Sequence, residues 1–85
     1  MNLTIDKYRS LYVARSLNGY VLVYENTYKN IVAPFTKDMS SQMFQREFEY
    51  TFPTMDKANE QLQEIERFLA ERQKKYEFKR IKNYK

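Results

Sequence analysis

Two stretches of the chain alternate apolar and polar residues with a period of two, the pattern of half-buried β-strands. The first, at about residues 8–25, is interrupted by Asn18-Gly19. Asn-Gly between apolar runs is typical of a hairpin, because a type I′ turn requires positive φ at both central positions. We therefore predict strands over about 8–17 and 20–25, with Leu17 opposite Tyr20.

This hairpin separates two faces, because residues paired across it project to the same side of the sheet. One face is larger and more apolar, and we assign it to the core: Leu11, Val13, Arg15, Leu17, Tyr20, Leu22 and Tyr24. The other is half polar, and we expect it to face outward: Tyr8, Ser10, Tyr12, Ala14, Ser16, Val21, Val23 and Glu25.

Two further strands are predicted after the hairpin. A short one covers about 28–35, and Pro34 marks its edge or end because proline cannot donate to a ladder. Residues 36–42 are loop-like, with a single helical turn at 38–42 as an alternative. Residues 43–52 are the second alternating stretch, with rings on one side and Glu47 and Glu49 on the other.

A long helix is predicted after Phe52-Pro53-Thr54. Thr54 is a suitable N-cap and Asp56 suits the positive end of the helix dipole. The apolar residues that follow recur at helical spacing and define one stripe: Ala58, Leu62, Ile65, Phe68 and Leu69. We expect the helix over about 55–75, with the tail beyond it either helical or extended.

These elements predict an α+β fold. An antiparallel meander of three to four strands (about 8–17, 20–25, 28–35 and 43–52) packs on one long C-terminal helix. At 85 residues the chain has room for one domain. We predict a compact domain over 1–71 and a basic, aromatic-containing C-terminal extension over 72–85.

Charge is segregated along the chain. The segment Arg72–Lys85 holds seven Lys or Arg and one acid, for a charge of +6, whereas the preceding residues hold eight Lys or Arg and ten acids, for −2. Together they give the net charge of +4. Clustered cations attract phosphate groups or acidic protein surfaces far more strongly than scattered ones do.

The composition of the chain excludes most of the common types of catalytic site. The chain has no His and no Cys, which excludes a Ser-His-Asp triad, a thiol nucleophile and a His or Cys zinc site. Its single Gly excludes a glycine-rich phosphate loop. Asp56, Glu60 and Glu64 are spaced to share a helical face, which we interpret as a solvated face rather than a cation site. We expect no enzymatic activity, no cofactor and no small-molecule substrate.

The basic segment has two interpretations. It is either a nucleic-acid contact, with aromatic rings that stack on bases between cations that bind phosphate, or a solubilising helix end. The rings are Tyr76, Phe78 and Tyr84. The nucleic-acid hypothesis assigns these residues: Arg72, Lys74, Lys75, Tyr76, Lys79, Arg80, Lys82 and Lys85.

The outer face of the sheet has two interpretations as well. It is either an interface for a partner protein or a homodimer, or it is covered by residues 1–7 or by the C-terminal segment. The interface hypothesis assigns Tyr8, Tyr12, Val21 and Val23. We expect Glu25, Glu47 and Glu49 to project on that side, which makes the face unsuitable for binding phosphate.

The hairpin LYVARSLNGYVLVY (Leu11–Tyr24), with a further strand and a helix, resembles the arm-binding domains of phage and transposon integrases. Four strands followed by a helix are also similar to the coactivator-type single-strand DNA binders. Both resemblances imply DNA binding through the sheet. The predicted outer face lacks the cations of those families, so no site residues are transferred from them.

Small, Cys-free chains rich in Tyr and Lys are frequent among phage and mobile-element accessory proteins, and we expect a protein of that type. The N-terminus has no apolar leader and no stretch is long enough to span a bilayer, so we expect a cytoplasmic protein that binds no membrane, in the host cytosol if it is phage-encoded.

Overall fold

The computed structural model describes residues 2–84, with side chains described for residues 2–73. An antiparallel sheet packs against a C-terminal helix, which confirms the predicted α+β class. The elements are β1 (Asn2–Thr4), β2 (Arg9–Ser16), β3 (Gly19–Asn26), β4 (Ile31–Pro34), α1 (Lys37–Phe44), β5 (Thr51–Phe52) and α2 (Met55–Tyr84).

The sheet has the order β1-β2-β3-β4, and β5 also pairs with β3. β4 pairs with the second half of β3 and β5 with its first half, so the two short strands lie end to end along one edge. Leu22 lies where they meet. Its carbonyl accepts from the Phe35 N–H at 2.9 Å, and its own N–H donates to the Tyr50 carbonyl at 2.8 Å.

The predicted hairpin register is wrong by two residues. Tyr20 pairs with Arg15 rather than with Leu17, and the two-residue loop is Leu17-Asn18. A shift of two leaves every side chain on its predicted face, because the side-chain period of a strand is two. Leu11, Leu22 and Tyr24 are accordingly buried as predicted. Leu17 and Arg15 are exceptions: Leu17 lies fully exposed at the tip of the loop, and Arg15 is exposed as well.

Gly19 explains the shift. Its φ of 146° is one that L side chains rarely adopt, and a Cβ there would overlap the carbonyl oxygen of Phe52. The glycine therefore serves the close approach of β5 to β3 rather than the centre of a type I′ turn. The non-glycine residues with positive φ in the described chain are Asn30 and Gln45, so Asn18 does not adopt the predicted turn geometry.

The predicted strand over 43–52 is wrong except at its end. Met43 and Phe44 close α1, and sheet pairing begins only at Thr51. Thr36 caps α1, its hydroxyl accepting from the Met39 N–H at 3.2 Å, and Gln45 ends it in the left-handed conformation. The alternative helical turn at 38–42 is thus the core of a two-turn helix.

Ser40 fixes the irregular segment that follows α1. Its side chain is fully buried, and its hydroxyl donates to the carbonyl of Arg46 at 2.5 Å and accepts from the N–H of Phe48 at 3.1 Å. This places the ring of Phe48 in the core, edge-on to Phe44, with centroids 6.2 Å apart. The alternating rings of 43–52 therefore reach the core from a helix end and a loop.

Two smaller differences concern the edges of the sheet. β4 begins at Ile31 rather than near residue 28, because residues 27–30 form a turn in which Asn30 has a φ of 57°. β1 was not predicted; it pairs Leu3 with Leu11 and adds the buried Leu3 to the core.

The long helix agrees with its prediction. The Thr54 hydroxyl accepts from the Lys57 N–H at 3.2 Å, as an N-cap does. The predicted stripe faces the sheet: Ala58, Leu62 and Ile65 are fully buried, and Phe68 and Leu69 pack at the margin of the core. The backbone is helical to Tyr84, which answers the open question of the tail in favour of helix.

Candidate functional site

Burial along α2 decreases just before the basic segment begins. Phe68 and Leu69 are the last partly buried residues of the described helix. All four residues of the next turn, 70–73, are exposed, and they include Arg72, the first of the predicted nucleic-acid residues. Arg72 also lines an open cleft of about 290 Å³ with Phe44, Gln45, Phe68 and Glu71.

The remaining residues of that prediction lie outside the described side chains. They are Lys74, Lys75, Tyr76, Lys79, Arg80 and Lys82, for which the structure gives the helical backbone, together with Lys85, which lies outside the described residues.

Several cations of the body are held by acids. Four ion pairs join described side chains: Arg9–Asp6 at 2.8 Å, Lys37–Glu49 at 3.1 Å, Arg46–Glu64 at 2.8 Å and Lys57–Glu60 at 3.9 Å. These pairs are solvent-exposed and contribute little to stability. They do, however, neutralise half of the eight cations that precede Arg72, so positive potential is concentrated on the C-terminal segment.

Two of these ion pairs involve carboxylates of the acidic helix face formed by Asp56, Glu60 and Glu64. Glu64 accepts from Arg46 and from the side-chain amide of Gln61, and Glu60 lies near Lys57. Within the described residues, no group of three or more His, Cys, Asp or Glu is arranged to hold a metal ion.

The outer face of the sheet presents a surface built from all five strands. Cross-strand pairing aligns three of the predicted interface residues there, with Tyr12 opposite Val23 and Ala14 opposite Val21. Tyr8 lies just before β2, at one end of this surface. The outer-face side chains of the strands are those of Asn2, Thr4, Ser10, Tyr12, Ala14, Ser16, Val21, Val23, Glu25, Val32, Pro34 and Thr51.

The helices do not cover this face within the described chain. The buried side chains of α1 and α2 join one core cluster with Leu11, Leu22 and Tyr24, which project from the opposite face. The predicted alternative that residues 1–7 fold over the outer face is wrong, because Asn2–Thr4 extend the edge of the sheet as β1. Val32, at 63% exposure, illustrates how open the surface is near β4.

The expectation that three carboxylates project on the outer face is wrong for Glu49, and Glu47 lies outside the strands. Glu49 lies on the helix side, where it pairs with Lys37 and its N–H donates to Gln61 of α2 at 3.3 Å. Glu47 belongs to the irregular segment before β5. Glu25 is the one charged residue among the twelve outer-face side chains of the strands, in a chain that is 31% charged.

Sequence reasoning missed an aromatic pair at the end of this face. The ring of Tyr8 contacts that of Tyr28, with centroids 5.3 Å apart and planes tilted by 50°. Tyr28 was assigned to a strand, whereas it lies in the turn between β3 and β4. The pair follows from the observed register, which was mispredicted: Tyr8 and Thr27 continue the pairing of β2 with β3, and this brings the next residue, Tyr28, beside Tyr8.

Asp6 organises the turn that carries Tyr8. Its carboxylate accepts from the N–H of Tyr8 at 3.0 Å and of Arg9 at 2.9 Å, and it forms an ion pair with the Arg9 guanidinium. The Tyr8 N–H, followed by the Arg9 side chain, lowers the pKa of Asp6 below its usual value. The carboxylate is therefore charged at neutral pH and holds the turn.

Comparison of the chain with protein-family models, with curated proteins and with solved structures finds no match. In the described part of the chain, no helix is both long and apolar enough to cross a bilayer.

Proposed function

We propose that this protein is a non-enzymatic binding module that associates with nucleic acid through its basic C-terminal segment, Arg72–Lys85. The observation that carries the proposal is the position of Arg72. It lies on a helical turn whose four residues are all exposed, at the point where the charge of the chain changes sign. The segment that begins with Arg72 carries a charge of +6, and a cluster of charge of that size attracts a polyanion.

Binding of this kind depends on charge rather than on base sequence. Each phosphate that a Lys or Arg neutralises releases condensed counterions, and this release drives association at low salt. The aromatic residues of the segment, Tyr76, Phe78 and Tyr84, add ring faces on which unpaired bases stack. Ion pairs on the body support the assignment to this segment, because they lower the competing affinity of body cations for phosphate.

A charge-matched comparison tests the proposal. In one variant Lys74, Lys75 and Lys79 are changed to Gln. In the control, Lys37→Gln, Lys57→Gln and Arg67→Gln remove the same number of charges from the body. The first variant loses at least tenfold in affinity for duplex DNA at about 50 mM salt, and the control loses far less. Equal losses in the two variants would refute a localised contact.

A second candidate is docking of a partner protein, as an inhibitor or adaptor, through the outer face. The scarcity of charged residues on the outer face favours protein docking, because the cores of protein interfaces are poor in charged residues and rich in Tyr. Four strands about 4.8 Å apart, each contributing about five residues at 3.3 Å, give a face of roughly 320 Å². This is less than half of what each partner buries in a stable complex, so the face suits a transient contact better than a homodimer.

The partner that fits this face is a folded protein with an apolar patch and a cation opposite Glu25. Tyr12→Ala and Val23→Glu remove a ring and insert a charge at its centre. A protein partner is then lost while thermal unfolding stays cooperative. Retention of that partner by both variants would reject the outer face as its docking site.

The proposal further places the protein in the cytosol, where nucleic acid is accessible, as an accessory protein of phage or mobile-element type. Its small size, its lack of Cys and its abundance of Tyr and Lys support this placement.

A further inference from the structure

Two turns at one end of the sheet hold a pair of exposed tyrosine rings. Tyr8 is 43% exposed and Tyr28 is 76% exposed, although their centroids lie only 5.3 Å apart. The core ring of Tyr24, by contrast, is only 8% exposed. The Tyr8–Tyr28 pair therefore contributes little to the core and leaves ring faces open to solvent.

Hydrogen bonds hold both turns in place. Asp6 accepts from the backbone N–H of Tyr8, and the side chain of Asn26 accepts from the N–H of Lys29 at 3.0 Å. The two turns are joined directly, because the N–H of Thr27 donates to the carbonyl of Tyr8 at 2.9 Å. A ligand that binds the rings therefore meets a largely preorganised backbone, which lowers the entropic cost of binding.

One lysine lies beside the rings, and a second is adjacent to them in sequence. The Lys7 ammonium lies 5.5 Å from the centroid of Tyr8, and Lys29 follows Tyr28 directly. Neither lysine takes part in the ion pairs formed among the described side chains. The neighbouring Arg9 is held by Asp6, and Glu25 is the acid on the adjoining part of the outer face. The surroundings of the rings therefore carry one excess positive charge.

We propose that Tyr8 and Tyr28, flanked by Lys7 and Lys29, form a stacking site for the unpaired bases of single-stranded nucleic acid. Every base has a flat π-face that stacks on an aromatic ring, and adjacent ammonium groups bind the backbone phosphates. Bases within a duplex are already stacked on each other, so the site discriminates against duplex. The inference rests on the proposed nucleic-acid function and adds a second contact, on the body, with a strand preference.

The test measures affinity of the full chain for a labelled oligothymidine of about 15 nucleotides and for a matched duplex. Tyr8→Leu with Tyr28→Leu keeps apolar bulk but removes the rings, whereas Tyr8→Phe with Tyr28→Phe keeps them. Leu17→Ala, at a fully exposed residue of another loop, is the control. Because the chain has no Trp, stacking is also followed by quenching of tyrosine emission.

The variant with Tyr8→Leu and Tyr28→Leu (the Leu pair) is expected to lose at least tenfold in affinity for the single strand, with little change in affinity for duplex. The variant with Tyr8→Phe and Tyr28→Phe (the Phe pair) and the Leu17→Ala control are expected to bind as the unmodified protein does. Lys7→Gln with Lys29→Gln lowers the salt slope on single strands by about 1.4. Thermal unfolding checks that the variant with both Leu substitutions is folded. If it is not folded, the variant with both Phe substitutions provides the test, because it keeps the rings and a loss of its binding would contradict stacking.

The outcomes separate this inference from the proposed function. If the Leu pair binds single strands normally while the Lys74, Lys75 and Lys79 variant loses binding, the stacking site is overturned and the basic segment stands. If the unmodified protein binds neither nucleic acid, both fail. If the Leu pair binds nucleic acid normally but loses a protein partner, the rings belong to a protein interface instead.

Discussion

The N–H of Thr27 donates to the carbonyl of Tyr8 at 2.9 Å, and the Thr27 hydroxyl approaches the same carbonyl at 3.3 Å. This contact joins residues that are 19 apart in the chain. It continues the pairing of β2 with β3 for one further step and holds the β1–β2 turn against the β3–β4 turn. The exposed rings of Tyr8 and Tyr28 meet for that reason.

The Asp6 turn is expected to depend on pH. Because folding lowers the pKa of Asp6, its contribution to stability is complete above the usual value of 3.8 and is lost as pH falls through the lower folded pKa. An NMR titration should give a midpoint for the Asp6 carboxyl below 3.8. The Tyr8 amide signal should shift with the same midpoint.

Asp6→Asn is the control for that titration. It removes the ionisable group but keeps a side-chain acceptor for the Tyr8 N–H, so the amide signal should no longer titrate in this range. A midpoint for Asp6 at or above its usual value would contradict the account of the turn.

Gly19→Ala is expected to destabilise the fold by about 2 kcal/mol or more, since the added Cβ overlaps the Phe52 carbonyl and the backbone conformation disfavours a side chain. Denaturant unfolding measures the change. Leu17→Ala, two residues away and fully exposed, should stay within about 0.5 kcal/mol. Similar values for the two variants would mean that β5 does not approach β3 at Gly19.

Ser40→Ala should cost about 1–3 kcal/mol, because it leaves the Phe48 N–H and the Arg46 carbonyl without their buried partner. Ser41→Ala, at the exposed neighbouring position, provides the comparison and should be nearly neutral. Thermal unfolding of the two variants gives the difference. If both unfold at the same temperature, the Ser40 hydroxyl does not fix the loop after α1.

The faces of the hairpin were predictable from sequence because alternation records them directly, and a register error of two residues does not change a face. The register itself was not predictable, since Gly19 is used for contact with Phe52, a residue 33 positions away in the printed sequence. Local turn preference could not reveal that contact.

The segment 43–52 was mispredicted for a related reason. Phe44 and Phe48 are four apart, a spacing compatible both with one face of a strand and with successive helical turns. The Thr36 cap and the buried Ser40 hydroxyl favour the helix α1 over a strand. In the sequence, however, both residues look like ordinary loop residues.

The candidate sites were predictable to different degrees. The charge of Arg72–Lys85 can be read directly from the sequence, and alternation identified Tyr12, Val21 and Val23 on an uncovered face. The pairing of Tyr8 with Tyr28 depends on how two turns meet in space, which no local pattern specifies.

The salt dependence of binding tests the nucleic-acid proposal most directly. If Arg72–Lys85 neutralises about five phosphates, log K for duplex DNA should fall with log salt at a slope of roughly −4 to −5. Changing Lys74, Lys75 and Lys79 to Gln should make that slope shallower by about 2.7, because three phosphate contacts are removed. The absence of binding at about 50 mM salt, or an unchanged slope in the variant, would contradict the proposal.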